Sequence, residues 1–193
     1  FVDIQNNWER LWSSIFHSIS AYNNAGFSLW SNSLQDYRTN ILVNTVFIFL
    51  IVMGGLGWRV IDDIWSNKKN LSYKKLSLHS RLVIRTSLSL ILFGSLGFFI
   101  TESLLNSQFF NDLNFFEKLL SSIFETVSAR TAGFTNYQIS LNSISDTGLL
   151  LLMTLMFIGA STGGTGGGIK TTTFIALMAA TRSTLRGQKD VII

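Results

Sequence analysis

The run Glu9-Arg10-Leu11-Trp12-Ser13-Ser14-Ile15-Phe16-His17-Ser18-Ile19-Ser20 returns later in the chain as Glu117-Lys118-Leu119-Leu120-Ser121-Ser122-Ile123-Phe124-Glu125-Thr126-Val127-Ser128. Each copy runs into a glycine-centred loop, Asn23-Asn24-Ala25-Gly26-Phe27 in the first case and Thr131-Ala132-Gly133-Phe134 in the second. An internal repeat constrains architecture more firmly than local propensity does, because both copies must occupy equivalent places in the fold. Leu11, Ile15 and Ile19 recur at helical spacing, with Trp12 and Phe16 beside them. Segment 8–21 would be roughly 21 Å long as a helix and segment 117–128 roughly 18 Å, both short of a ~30 Å hydrocarbon core. One such segment reads equally as a surface helix or as a re-entrant half-helix. Two, each ahead of the same loop and a long apolar run, favour the re-entrant reading.

The remaining segments agree with a membrane setting. Charged residues make up 13% of the 193 positions, about half the share usual in a soluble domain, and 47% are hydrophobic. There is no Cys, which excludes disulfides and thiolate metal sites, and no Pro, so any break inside a helix falls to Gly or a polar run. Segments 41–61 and 82–101 each have the length of one bilayer crossing. Loop 66–81 carries Lys68, Lys69, Lys74, Lys75 and Arg81 with no acidic residue, and the net charge is +4. By the positive-inside rule that loop is cytoplasmic. Stretch 102–117 holds Glu102, Asp112 and Glu117 without Lys or Arg until Lys118, as an outer loop would. Arg182, Arg186 and Lys189 return the end to the cytoplasm.

Segment 146–182 cannot be one helix. It would span roughly 52 Å, and six glycines fall within 159–168. The expected form is a broken helix whose irregular backbone faces protein or a water-filled path. Gly163, Gly164, Gly166, Gly167, Gly168 and Lys170 then form an intramembrane constriction, or, on a plainer reading, a loose linker with a snorkelling lysine. A phosphate-binding loop is not met, because Ile169 stands between Gly168 and Lys170.

The chemistry of the repeated loops is that of a cation filter. A dehydrating K⁺ needs oxygen ligands in place of its water, and backbone carbonyls supply them without a charged side chain. Gly26 and Gly133 are the candidates for turning those carbonyls to an axis, and the C-terminal end of a half-helix adds partial negative charge. Taken singly, each loop is better read as an ordinary glycine helix cap; its repetition at the same place after each half-helix favours the filter. Arg130 is read either as paired with a carboxylate such as Glu125, bracing the loop, or as a solvated vestibule charge. His17 aligns with Glu125 and is read as a packing or polar residue rather than a metal ligand. No carboxylate pair, His cluster or nucleophile–base set points to an enzyme.

Ser20-Ala21-Tyr22-Asn23-Asn24-Ala25-Gly26-Phe27, Ser128-Ala129-Arg130-Thr131-Ala132-Gly133-Phe134 and Gly163-Gly164-Thr165-Gly166-Gly167-Gly168-Ile169-Lys170-Thr171-Thr172-Thr173 together make the chain resemble the Trk/Ktr/HKT superfamily of K⁺ transporters, in its Ktr-type (NtpJ-like) membrane-subunit form. The resemblance covers nearly the whole chain, in the family's motif order. It implies an all-α membrane protein of four helix–pore loop–helix units around one pore, of which about one and a half are here. Residues 1–65 would be unit two without its first helix, 66–81 a basic cytoplasmic loop, and 82–193 unit three. It further implies filter positions at Asn23 to Phe27 and Thr131 to Phe134, with K⁺ held by carbonyls at Gly26 and Gly133, and a gating loop over 159–170. Filter support from Arg130 and Glu125 is expected alongside. K⁺, with Na⁺ as a second candidate, is expected as the transported ion rather than a cofactor. The lipid bilayer, a homodimer partner and a cytosolic nucleotide-binding regulatory subunit are the expected partners, with no nucleic acid. The expected location is multi-pass in a bacterial plasma membrane. Two pore loops cannot enclose a four-fold filter, and the chain opens on Phe1, so an internal fragment is expected. The competing function is a non-transporting membrane anchor that recruits a soluble partner through loop 66–81.

Overall fold

The computed structural model describes residue 4 and residues 6–68, 75–105, 108–111, 113–137 and 143–187. Lys69, Lys74, Asp112 and Lys189, which entered the charge argument, lie outside the described residues. The described secondary structure is helical: α1 (Asn7–Tyr22), α2 (Ile41–Leu56), α3 (Trp58–Ser66), α4 (Leu78–Leu104), α5 (Phe115–Ala129), α6 (Asp146–Phe157) and α7 (Thr171–Leu185), with short 3₁₀ turns at Gln35–Tyr37 and Gln108–Phe110. Most helices begin on a residue that suits the task. Asn6, Asn40, Ser77 and Ser145 accept first-turn N–H groups, and the Asn114 N–H donates to the Glu117 carboxylate.

Segment 41–61 does not continue as one helix. It stops at Leu56, and Gly57 turns the chain through 95° into α3. Gly57 has φ +88°, and a Cβ there would lie 2.7 Å from the Gly163 carbonyl carbon, so no other residue fits this elbow. The result is a short apolar α2 and an amphipathic α3 lying across its end. Asp63 of α3 accepts from the Ser77 N–H and hydroxyl, at 2.9 and 2.8 Å, which docks α3 on the start of α4.

Among the described residues α4 alone is long and apolar enough to cross a membrane by itself. Only 28% of its apolar window is buried, and Phe93 is 76% exposed. A core helix of a soluble protein would hide that face. Here it is left to an apolar surrounding. The end of α4 carries a fully buried carboxylate, Glu102, which receives the Ser145 hydroxyl at 2.5 Å and so holds the start of α6.

Two packed clusters organise the interior. The first joins α1, α2 and α5 through Ala21, Val43, Phe47, Ile51, Phe124, Val127 and the loop residues Ala132 and Phe134. The second joins α4, α5 and α6 through Phe98, Phe109, Phe110, Leu152 and Leu155. Helix α5 therefore lies between both clusters, and the loop that follows it is built into the first.

Candidate ion filter and intramembrane loop

The two repeated loops come together at their glycines. A Cβ on Gly26 would lie 2.6 Å from the Ala132 carbonyl oxygen and 3.1 Å from the Gly133 Cα; one on Gly133 would meet the Gly26 Cα at 3.4 Å. Both glycines have positive φ, +71° and +81°, and so do Asn24 (+51°) and Thr131 (+75°), while the alanine between each pair does not. The two loops thus repeat one backbone pattern, positive φ at the residue just past each helix cap and again at the glycine two positions on.

The same side-chain support recurs in each loop. The Ser20 hydroxyl donates to the Phe27 carbonyl at 2.8 Å, and the Ser128 hydroxyl donates to the Phe134 carbonyl. The Ala25 N–H bonds the Ser20 carbonyl and the Ala132 N–H the Ser128 carbonyl, each at 2.9 Å. Phe134 is buried edge-on against Phe47 of α2, with ring centroids 5.1 Å apart, whereas Phe27 is 70% exposed.

The glycine run 159–168 is not a loose tether. Its neck is closed by a parallel bridge between Ile158 and Ile169, with the Gly159 N–H on the Ile169 carbonyl (3.1 Å) and the Ala160 N–H on the Gly167 carbonyl (3.0 Å). Its tip meets α2 backbone to backbone: the Ser161 N–H reaches the Gly55 carbonyl at 3.0 Å, and the Thr165 N–H reaches the Gly54 carbonyl at 3.1 Å. A Cβ on Gly164 would lie 2.5 Å from the Gly55 oxygen, which is why glycine faces glycine here. Lys170 folds back, its Nζ donating to the Gly166 carbonyl at 2.7 Å.

Three side chains tie this loop to the two repeated loops. The Thr165 hydroxyl donates to the Tyr22 carbonyl at 3.0 Å and accepts from Asn24 Nδ2 at 2.8 Å. The Thr131 hydroxyl accepts the Gly167 N–H at 3.0 Å. Arg130, half-buried, donates to the Gly159 carbonyl at 3.2 Å and reaches Ser87 of α4 at 3.5 Å. Both sequence readings of Arg130 are thereby corrected. It is neither a free vestibule charge nor the partner of Glu125, whose carboxylate instead accepts the Asn136 N–H at 3.1 Å. The helical path carries Arg130 toward the glycine loop, while Glu125 points along the buried face of α5 at the returning chain.

Sequence reasoning did not single out Thr165, Asn136, Asn44 or the paired serines. Thr165 was detectable as the one non-glycine inside 163–168, and Ser20 and Ser128 as identities within the repeat. Asn44, buried in α2, donates to the Tyr37, Arg38 and Asn40 carbonyls and accepts from Asn136 at 3.1 Å, a contact across 92 positions that no local pattern reveals. His17 meets no group of three or more His, Cys, Asp or Glu among the described residues that could hold a metal ion.

A half-helix, a glycine loop and a returning chain, used twice beside the long apolar α4, define a membrane protein of the pore-loop class. The chain belongs to the TrkH family of cation transport proteins, whose model matches residues 3–193. It is 38% identical over 190 residues to the Ktr system potassium uptake protein B of Bacillus subtilis, covering 98% of this chain and 41% of that protein. It is 38% identical over 182 residues to the potassium/sodium uptake protein NtpJ of Enterococcus hirae, covering 94% of this chain and 39% of that one. The crystal structure of the potassium transporter TrkH from Vibrio parahaemolyticus superposes with a TM-score of 0.72 at 22% identity, over 90% of this chain and 35% of its own. That likeness concerns the fold. The chain thus spans about two fifths of the length of the curated relatives it matches.

Proposed function

We propose that this chain is the central part of the pore-forming subunit of a K⁺ uptake system, with two of the four filter loops and the intramembrane gate. The observation that carries the reading is the juxtaposition of Gly26 and Gly133, each in a loop with alternating backbone hand and the same serine brace. An ion leaving water at this site would exchange its hydration shell for carbonyl oxygens of the two loops, those of Gly26 and Gly133 first among them. The C-terminal ends of α1 and α5 face the loops and add partial negative charge where the cation rests. The loop 159–170 lies against both filters through Thr165 and Thr131, so that it would close the path on the cytoplasmic side and move aside for conduction.

The internal comparison supports a pore of more units than two. In α5 the stripe Leu119, Ile123 and Val127 is partly or fully buried, and α2 is one of its neighbours. The matching stripe of α1, Leu11, Ile15 and Ile19, is 45–59% exposed. The parent protein would cover it with the equivalent helix of another unit. By the same family reading the parent is a homodimer in the plasma membrane and works with a cytosolic nucleotide-binding subunit; Na⁺ acts as a second or coupling ion.

The test is growth of a K⁺-uptake-deficient bacterium at low K⁺, carrying the full-length parent. Gly133→Asp and Gly26→Asp are expected to abolish growth while the protein still reaches the membrane. Growth equal to wild type would remove the filter assignment. If those variants are silent and replacement of Lys68, Lys69, Lys74 and Lys75 by Ala abolishes function, the chain is an anchor for a soluble partner.

A further inference from the structure

The filter-return brace is built from two unlike residues at one repeat position. His17 in α1 and Glu125 in α5 occupy the same place in the repeated segment, three residues before Ser20 and Ser128. The Leu29 N–H points to His17 Nε2 at 3.3 Å, and the Asn136 N–H points to Glu125 Oε1 at 3.1 Å. Leu29 stands two residues past Phe27, and Asn136 two residues past Phe134. The same backbone donor, at the same point after each filter loop, is thus received by the side chain at the same point of each half-helix. Three positions apart on a helix is one face. On that face the side chain at 17 or 125 and the serine at 20 or 128 grip the returning backbone at two places, on either side of Ser28 or Thr135.

The acceptors are held firmly. His17 is fully buried and stacks on Trp30 with ring centroids 4.2 Å apart; its Nδ1 lies 2.8 Å from the Ser13 carbonyl. Nε2 faces the Ser28 hydroxyl at 3.1 Å as well as the Leu29 N–H; with Nε2 as the acceptor of that N–H, the proton belongs on Nδ1 and is given to the Ser13 carbonyl. Glu125 is buried, and Asn136 beyond it is fixed through Nδ2 to Asn44 of α2. The Asn136 N–H is buried with Glu125, where a donor without a partner is costly, while the Leu29 N–H is part-buried, so the brace bears more heavily on the second loop.

We propose that His17 and Glu125 are equivalent positioning residues that hold the filter loops in register by accepting the Leu29 and Asn136 N–H groups. They act on carbonyl placement and hence on ion discrimination, touching no ion themselves. The inference rests on the filter reading above, and the chemistry required at either position is a hydrogen-bond acceptor, whatever its charge.

The experiment measures K⁺ against Na⁺ uptake by the full-length parent reconstituted into vesicles. Variants are Glu125→Gln, Glu125→Leu, His17→Gln, His17→Leu, and the exchanges His17→Glu and Glu125→His. Gln keeps an acceptor oxygen, and each exchange installs the residue the other copy already uses. Glu125→Leu is expected to lose discrimination by roughly tenfold, the worth of one orphaned buried donor, and His17→Leu by less, because the Leu29 N–H is only part-buried. The Gln variants should stay within about threefold of wild type. If Glu125→Gln falls as far as Glu125→Leu, the residue acts through its charge and the brace is overturned. If the Leu variants are too unstable to purify, the Gln and exchange variants decide: retained discrimination supports the brace, and its loss overturns it. Gly133→Asp serves as the reference. Loss of transport there together with wild-type discrimination in Glu125→Leu overturns the brace alone, whereas normal transport in Gly133→Asp overturns the filter reading beneath it.

Discussion

Thr165→Val offers a quantitative view of how the glycine loop is held. Valine keeps the β-branched shape and the Thr165 N–H bond to the Gly54 carbonyl, but removes the hydroxyl that donates to the Tyr22 carbonyl (3.0 Å) and accepts from Asn24 Nδ2 (2.8 Å). A net hydrogen bond contributes about 0.5–1.5 kcal/mol, and Thr165 is exposed on the open face of the loop, so water competes and the lower half of that range applies. The two bonds together are then worth about 1–2 kcal/mol to the seated loop, a shift of roughly 5- to 30-fold toward the released position. In Rb⁺ flux into vesicles with the full-length parent, basal flux should rise by a comparable factor, up to the limit set by conduction itself. Thr165→Ser, which retains the hydroxyl, should stay near wild type. Equal flux in wild type, Ser and Val, with all three proteins monodisperse and of matched thermal stability, would refute the claim that this hydroxyl holds the loop. A flux that falls in Val alone would show that the bonds serve the filter rather than the gate.

The two filter glycines should not respond alike. Gly26→Ala places a methyl 2.6 Å from the Ala132 oxygen, while Gly133→Ala meets only the Gly26 Cα at 3.4 Å, so both carry left-handed strain of about 1–2 kcal/mol and only the first also displaces the neighbouring filter carbonyl. Uptake assays should rank Gly26→Ala well below Gly133→Ala, and the reverse order would count against the observed apposition. Gly54→Ala drives a methyl to 1.7 Å from the Tyr22 carbonyl, a backbone clash that should cost about 1–3 kcal/mol or more and lower the thermal midpoint of the purified parent, whereas Gly55→Ala, open on that side, should be mild. Asp63 is held below its ordinary value of 3.8 by hydrogen bonds from Ser80, then Ser77 and Asn67. Its folded-state value being depressed, the contact stabilises the α3–α4 junction above pH 3.8 and loses that effect as pH falls through and below 3.8. The stability gap between wild type and Asp63→Asn should therefore be present at neutral pH and vanish under strong acid.

How much of this was legible in advance depends on the range of the interaction. The half-helices were readable because their signal is local and stated twice. The structure puts helices at Asn7–Tyr22 and Phe115–Ala129, around the segments read as 8–21 and 117–128. The break in 146–182 was readable because glycine's backbone entropy disfavours helix whatever surrounds it. Yet whether the broken stretch was a constriction or a slack linker was not readable, because backbone hydrogen bonds to Gly54 and Gly55, more than a hundred positions away, give it its seat. The same limit hides the elbow inside the segment read as a crossing over 41–61: it is apolar throughout, but Gly57 has φ +88°, and Gly163 and Gly164 pack where a Cβ on it would stand.

The sequence by itself determined that the chain is helical, that two of its helices are short, that each ends in a glycine loop, and that its surroundings are apolar. These follow from periodicity, helix rise and composition, which belong to each segment alone. Only the tertiary structure decided which face each segment would use. Ile19 is 59% exposed while its repeat counterpart Val127 is 2% exposed, because α5 has neighbours on both sides and α1 in this chain is packed on one. Only folding made His17 and Glu125 equals, although one is an imidazole and the other a carboxylate, since what their position requires is an acceptor for a backbone N–H that arrives from beyond the loop. A requirement imposed by a partner's geometry leaves residue identity free, and a pattern of identities cannot record it.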